Sequence, residues 1–91
     1  MGRPKKKPDI REAFGFAIKL RREELSLTQE ALAELAQISR TYLSDIERGF
    51  RNPALVNIDR LAKALSCTLP GLFQIVETFK DPNIRQGEVG K

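Results

Sequence analysis

Residues 28–53 decide the fold: Thr28-Gln29-Glu30-Ala31-Leu32-Ala33-Glu34-Leu35-Ala36-Gln37-Ile38, then Ser39-Arg40-Thr41-Tyr42-Leu43-Ser44-Asp45-Ile46-Glu47-Arg48-Gly49, then Phe50-Arg51-Asn52-Pro53. Thr28 is a good N-cap, and Gln29-Glu30-Ala31 supplies helix formers with an early acid that suits the positive end of the helix dipole. Ala31, Leu32, Leu35 and Ala36 form a short apolar face, and Gln37-Ile38 breaks it. Ser39 is the next N-cap. Arg40 to Arg48 reads as a helix with Leu43 and Ile46 turned inward. Gly49 is the expected residue just past its end, and a loop closed by Pro53 follows. The stretch therefore predicts two helices of about two turns each, with only a few residues between them.

Working outward, apolar residues recur at Ile10, Phe14, Ala17, Ile18 and Leu25, near helical spacing. Asp9 caps that first helix, and Glu12 completes a capping box. The helix ends near Ser26. Downstream, Leu55, Ile58, Leu61, Ala62 and Leu65 give a fourth amphipathic helix, which Ser66-Cys67 breaks. Cys67 reads as a small buried residue at that junction. Thr68 caps a fifth helix, with Pro70 in its first turn, where proline is tolerated. No segment alternates as a strand does. The expectation is an all-α fold, a compact five-helix domain over residues 9–80. A basic arm, residues 1–8, precedes it, and a polar tail, residues 81–91, follows.

Composition narrows the function. The chain has 91 residues, enough for one small core. Basic residues number 16 and acidic residues 12, and Arg3, Lys5, Lys6 and Lys7 account for the whole excess. The rest of the chain is neutral, so any basic surface on it must come from arrangement. There is no histidine and one cysteine, which leaves no Cys/His metal site, no internal disulfide and no His-centred catalysis. Neither a glycine-rich phosphate loop nor a carboxylate cluster is present, so no enzyme, no cofactor and no small-molecule ligand is expected. No apolar run is long enough to span a membrane, and the basic start has no apolar stretch behind it. A cytoplasmic protein is the simplest expectation.

Two short helices joined this tightly suit a helix-turn-helix, in which they cross steeply. The second helix would offer a capped N-terminus bearing Arg40 and Thr41, the geometry a DNA major groove accepts. Over about Phe14–Phe73 the sequence resembles the DNA-binding domains of the Cro/lambda-repressor type, also called the xenobiotic-response-element type. Within that family the stretch Arg40–Gly49 looks most like the small controller regulators of restriction–modification systems. The resemblance implies base contacts from Arg40, Thr41, Ser44 and Asp45. Arg40 would pair with guanine and Asp45 would accept from cytosine. Double-stranded DNA is the implied partner. Backbone contacts would come from Gln29, Ser39, Tyr42, Arg51 and Asn52, with Lys5, Lys6 and Lys7 of the arm adding phosphate contacts. Arg22 and Glu47 match a structural ion pair beneath the recognition helix. The sequence departs from the family at Ser26, where glycine is common, at Ala54, where a Ser/Thr cap is common, and at Arg21.

The fifth helix carries more apolar surface than a chain this small needs. Part of it caps the core, and the rest, with Leu69, Leu72, Ile75, Val76 and Phe79 as the candidate interface, is expected to form an exposed stripe for a homodimer, unless packing of the fourth helix on the fifth consumes it. Such a dimer would set two recognition helices one DNA turn apart, on a palindromic operator. The competing reading is an antitoxin-like protein-interaction module that turns helix 68–80 toward a different partner. Asp45 carries an alternative as well, an intramolecular pair with Arg40 or Arg48 on its own helix.

Overall fold

The computed structural model describes residues 8–80, which form five α-helices and, among those residues, no strand. They are α1 (Ile10–Glu24), α2 (Gln29–Ala36), α3 (Arg40–Glu47), α4 (Leu55–Ala64) and α5 (Leu69–Lys80). The arm lysines Lys5, Lys6 and Lys7 and the tail 81–91 lie outside the described residues.

Local chemistry fixes most helix starts. Asp9 accepts from the backbone N–H groups of Arg11 and Glu12, while Glu12 reaches back to the Asp9 N–H, a complete capping box. Thr28, Ser39 and Thr68 each accept from the N–H three residues on. Ala54 starts α4 with no side chain able to cap it.

The helix ends share one device that the sequence discloses only at Gly49. Each of α1 to α4 ends with a residue at positive φ: Ser26 (58°), Gln37 (61°), Gly49 (80°) and Ser66 (56°). The next residue, Leu27, Ile38, Phe50 or Cys67, donates its N–H to the carbonyl five residues back. This is the Schellman closure, and three of its four left-handed positions are held by residues with a Cβ.

The core is Ala13, Phe14, Ala17 and Ile18 of α1, Leu32, Ala33 and Ala36 of α2, Leu43 and Ile46 of α3, Leu61, Ala62 and Leu65 at α4, and Leu72 and Val76 of α5. Here α1 is the central element, packed against both α5 and α3. Its contact with α3 is made backbone to backbone at Gly15. A Cβ there would overlap the Ile46 carbonyl oxygen and lie 2.6 Å from that of Glu47. The aromatic pairs Phe14–Phe73 and Phe16–Phe79, with centroids 6.0 and 5.6 Å apart, fasten α5 to α1.

Several inward assignments need correction. Leu35 is 59% exposed and Leu55 75% exposed, and Ile10 is also at the surface; Ala33 and Ala13 point inward instead. Each misassigned residue lies in the first or last turn of its helix, where helical spacing continues past the edge of the core. The expected stripe on α5 is narrowed, because two of its five residues lie in the core. Leu72 and Val76 are fully buried in the monomer, and Ile75 and Phe79 are half-buried against the core, so only Leu69 and Phe73 remain as large exposed apolar residues on this helix. Because α1 lies alongside α5, it consumes the surface that a free helix would show.

Candidate nucleic-acid interface

The two short helices meet as the sequence predicts, and α3 presents one face to solvent. Arg40 and Thr41 are exposed in its first turn, and Ser44 follows half-buried one turn on. Arg40 has no ion-pair partner among the described residues, so its guanidinium keeps its full donor fork for a base edge or a phosphate. Ser39 uses its hydroxyl oxygen to accept from the Tyr42 N–H at 3.0 Å, which leaves the O–H to donate outward.

Beneath α3, Glu47 is the one buried charged residue among the described residues, 7% exposed. Arg22 of α1 grips it bidentately, Nε to Oε2 at 2.7 Å and Nη2 to Oε1 at 3.0 Å. A third donor from Arg22, Nη1, goes to the Leu27 carbonyl at 2.8 Å. The carboxylate raises the Arg22 guanidinium further above its already high value. Gln29, the first residue of α2, donates its Nε2 to Glu47 Oε1 at 2.9 Å. One carboxylate thus ties α1, α2 and α3 together, and no buried side-chain polar atom among the described residues is left without a partner. Gln29 was expected to hold a phosphate. Its amide has two donors, and Glu47 takes one, so only the other can face DNA.

Asp45 takes the intramolecular alternative, with Arg48 as its partner on the same helix. Its carboxylate is turned along the protein surface, with Oδ1 accepting from Arg48 Nη2 at 2.7 Å and Oδ2 from Arg51 Nε at 3.3 Å. The hydrogen bond from Arg48, followed by that from Arg51, holds its carboxyl below the usual range. Each oxygen accepts one such bond and keeps a further lone pair, so the two arginines compete with a cytosine amine for this carboxylate. Arg40 takes no part in the pairing, whereas Arg48, at i+3, does. Tyr42 has a partner within the protein at its hydroxyl oxygen. Asn57 of α4 donates to that oxygen at 3.2 Å, leaving only the O–H proton for a phosphate. Arg51 lies over the Tyr42 ring at 5.3 Å and Arg48 over Phe50 at 4.9 Å. Asn52 is exposed in the loop after α3.

Three contributors escaped the sequence. Asn57 props Tyr42 from another helix, and no local spacing signals that. Arg21 donates Nε to the Leu65 carbonyl at 3.0 Å, so the unusual arginine caps the end of α4. Gly15 lets α1 approach α3, and a lone glycine within a helical pattern does not by itself say why it is there. A cavity of about 70 Å³ lined by Ile10, Phe14, Asn52, Pro53, Ile58 and Phe73 is far below the roughly 300–1,000 Å³ of ligand pockets.

The comparisons with known proteins agree with this geometry. A helix-turn-helix family model matches residues 18–72. Control protein C.MunI from Mycoplasma sp is 43% identical over 70 residues, which is 76% of this chain and 95% of that protein. The restriction–modification controller C.AhdI from Aeromonas hydrophila superimposes with a TM-score of 0.68 at 42% identity, over 71% of this chain and 97% of that one. The controller C.Esp1396I, solved as a tetramer on its natural 35 base-pair operator, superimposes with a TM-score of 0.74 at 30% identity, over 79% of this chain and 95% of that one. No helix among the described residues is long and apolar enough to cross a membrane. The chain belongs to the helix-turn-helix family of DNA-binding regulators and is similar to its restriction–modification control proteins.

Proposed function

We propose that the protein is a non-enzymatic, sequence-specific transcription regulator that binds a palindromic operator as a homodimer, with α3 in the major groove. The observation that carries this reading is a helix free on one face and clamped on the other. Arg40, Thr41 and Ser44 stand outward while Arg22 and Gln29 lock Glu47 beneath them. That clamp sets the angle of the recognition helix before DNA arrives, so little ordering cost falls on binding. Base choice then rests on Arg40, Thr41 and Ser44. Backbone contacts come from Ser39, Tyr42, Asn52, the second amide donor of Gln29, and Lys5, Lys6 and Lys7 of the arm. The dimer contact draws on the part of α5 still at the surface, Leu69 and the outer edges of Ile75 and Phe79. A cytoplasmic location fits this reading.

The test is selection of bound duplexes from a random library. The expected result is a two-fold symmetric motif with half-sites about ten base pairs apart. Arg40→Ala should then lose about 1–3 kcal/mol of discrimination at one base position. Enrichment of no motif, or equal loss on every sequence for Arg40→Ala, would sink the reading.

A further inference from the structure

We propose that Asp45 is an internal stand-in for phosphate: it holds Arg48 and Arg51 back from the DNA backbone and so suppresses charge-driven binding to the wrong sequence. The inference rests on the functional reading above and concerns the same face. Its basis is geometric. One carboxylate on the recognition helix engages two guanidinium groups, one from the end of α3 and one from the loop after it. Each guanidinium also lies over an aromatic ring, Phe50 for Arg48 and Tyr42 for Arg51, which limits where it can turn. Both arginines are more than half exposed, at 58% and 51% of their side chains, so they are placed to reach a solvent-side anion once released.

The oxygens of a phosphate accept from the guanidinium fork as those of a carboxylate do. DNA must therefore exchange with Asp45 for each arginine, and the exchange returns little free energy on a sequence that supplies nothing else. On the operator, base contacts add to the balance. The two exchanges are not equal. The Arg51 bond, at 3.3 Å, is the looser, and the Arg48 bond, at 2.7 Å, is the tighter, so Arg51 yields first. Asp45 acts through the two arginines and reads no base, which makes it a specificity-determining positioning residue.

The experiment measures binding of the full chain to its selected duplex and to a scrambled duplex over a salt series. Wild type, Asp45→Asn, Arg48→Ala/Arg51→Ala and the triple variant are compared, each first shown to melt cooperatively. Asp45→Asn should bind the scrambled duplex about three- to tenfold more tightly near 0.15 M salt, with the salt slope steeper by about one per arginine released. Discrimination between the duplexes should fall by a similar factor. In the background lacking both arginines the same substitution should change neither affinity nor slope by more than about twofold. An unchanged or weakened scrambled affinity in Asp45→Asn would overturn the proposal. So would an equal gain in the arginine-free background, because that is plain repulsion of DNA by a carboxylate. Loss confined to duplexes with cytosine at one position would overturn it in favour of base reading. If wild type selects a motif and these results fail, only the role of Asp45 falls. If wild type binds no duplex, the functional reading falls with it.

Discussion

Two carboxylates two residues apart on α3 are each met by a pair of donors, and they are used in opposite ways. Glu47 faces inward, its side chain 4% exposed, and is met by Arg22 of α1 and Gln29 of α2. Asp45 faces the solvent margin and is met by Arg48 and Arg51 of its own helix and loop. The inner pair joins three separate elements, so its breakage is felt by the whole domain. The outer pair joins neighbours in sequence, so its breakage changes only which charges are free. The same chemistry therefore gives rigidity in one place and an exchangeable surface in the other, and burial decides which.

The comparison breaks most visibly at Glu47. Glu47→Ala strands the Arg22 guanidinium in a site that is only 11% exposed, and removing one partner of a buried pair costs about 3–5 kcal/mol. For a domain this size each kcal/mol moves the melting temperature by about 4–8 °C, so a drop well above 10 °C is expected by calorimetry. Asp45→Asn in the same assay should move it little, since ion pairs at the solvent margin add little to stability. A small shift for Glu47→Ala would mean the inner pair does not hold the helices together.

Gly15 sharpens the point, because it sets how closely α1 approaches the Glu47 carbonyl. Gly15→Ala places a methyl group against the backbone of Ile46 and Glu47, which cannot turn aside as a side chain can. Overpacking of this kind costs about 1–3 kcal/mol. Because the shift would tilt α3, operator affinity should fall more than stability alone accounts for, as measured by melting and binding on the same variant. A variant as stable as wild type would show that the helices have room to separate.

The helix ends offer changes in the other direction. Ala54→Asp restores a missing N-cap on α4 and should stabilise by about 1 kcal/mol. Ser26→Gly relieves a positive φ of 58° and should stabilise by up to about 1 kcal/mol. Chemical denaturation midpoints test both. Neither residue lies among those proposed to contact DNA, so specificity should be unchanged.

These sites also mark what could be read from the chain. The capping side chains Asp9, Thr28, Ser39 and Thr68 act within three residues of themselves, so the helix starts were legible. Gly49 disclosed its own turn, whereas Ser26, Gln37 and Ser66 adopt the same conformation without the residue that signals it. Periodicity identified the helices but misplaced Leu35, Leu55 and Ile10, because spacing does not say where the core ends. The apolar stripe of α5 was seen, but what covers it was not, since α1 packs there through contacts distant in sequence. At the proposed interface residue types were legible, and so through the resemblance was the Arg22–Glu47 pair, but Gln29 as a partner of Glu47 and Asn57 as a partner of Tyr42 were not. Whether Asp45 faces a base or two arginines depends on side-chain direction, and the sequence offered Arg48 as a partner only through i,i+3 spacing.

The smallest effect expected separates the two carboxylates by acid. Arg48, and then Arg51, lower the Asp45 carboxyl from its ordinary 3.8. The folded chain therefore binds this proton less readily than the unfolded chain does, and the contribution is fully present above about pH 4. It fades as pH falls through the depressed folded value. Asp9, lowered mainly by Arg11, behaves alike and shares the window. Asp45→Asn should thus flatten, without abolishing, the loss of stability below about pH 4, while the profile above about pH 5 stays parallel to wild type. The measurement is the denaturation midpoint across pH for both proteins. If the two acid limbs were identical, the carboxylate would not be held by its arginines in solution, and the contrast between an inner clamp and an outer exchangeable pair would lose its second half.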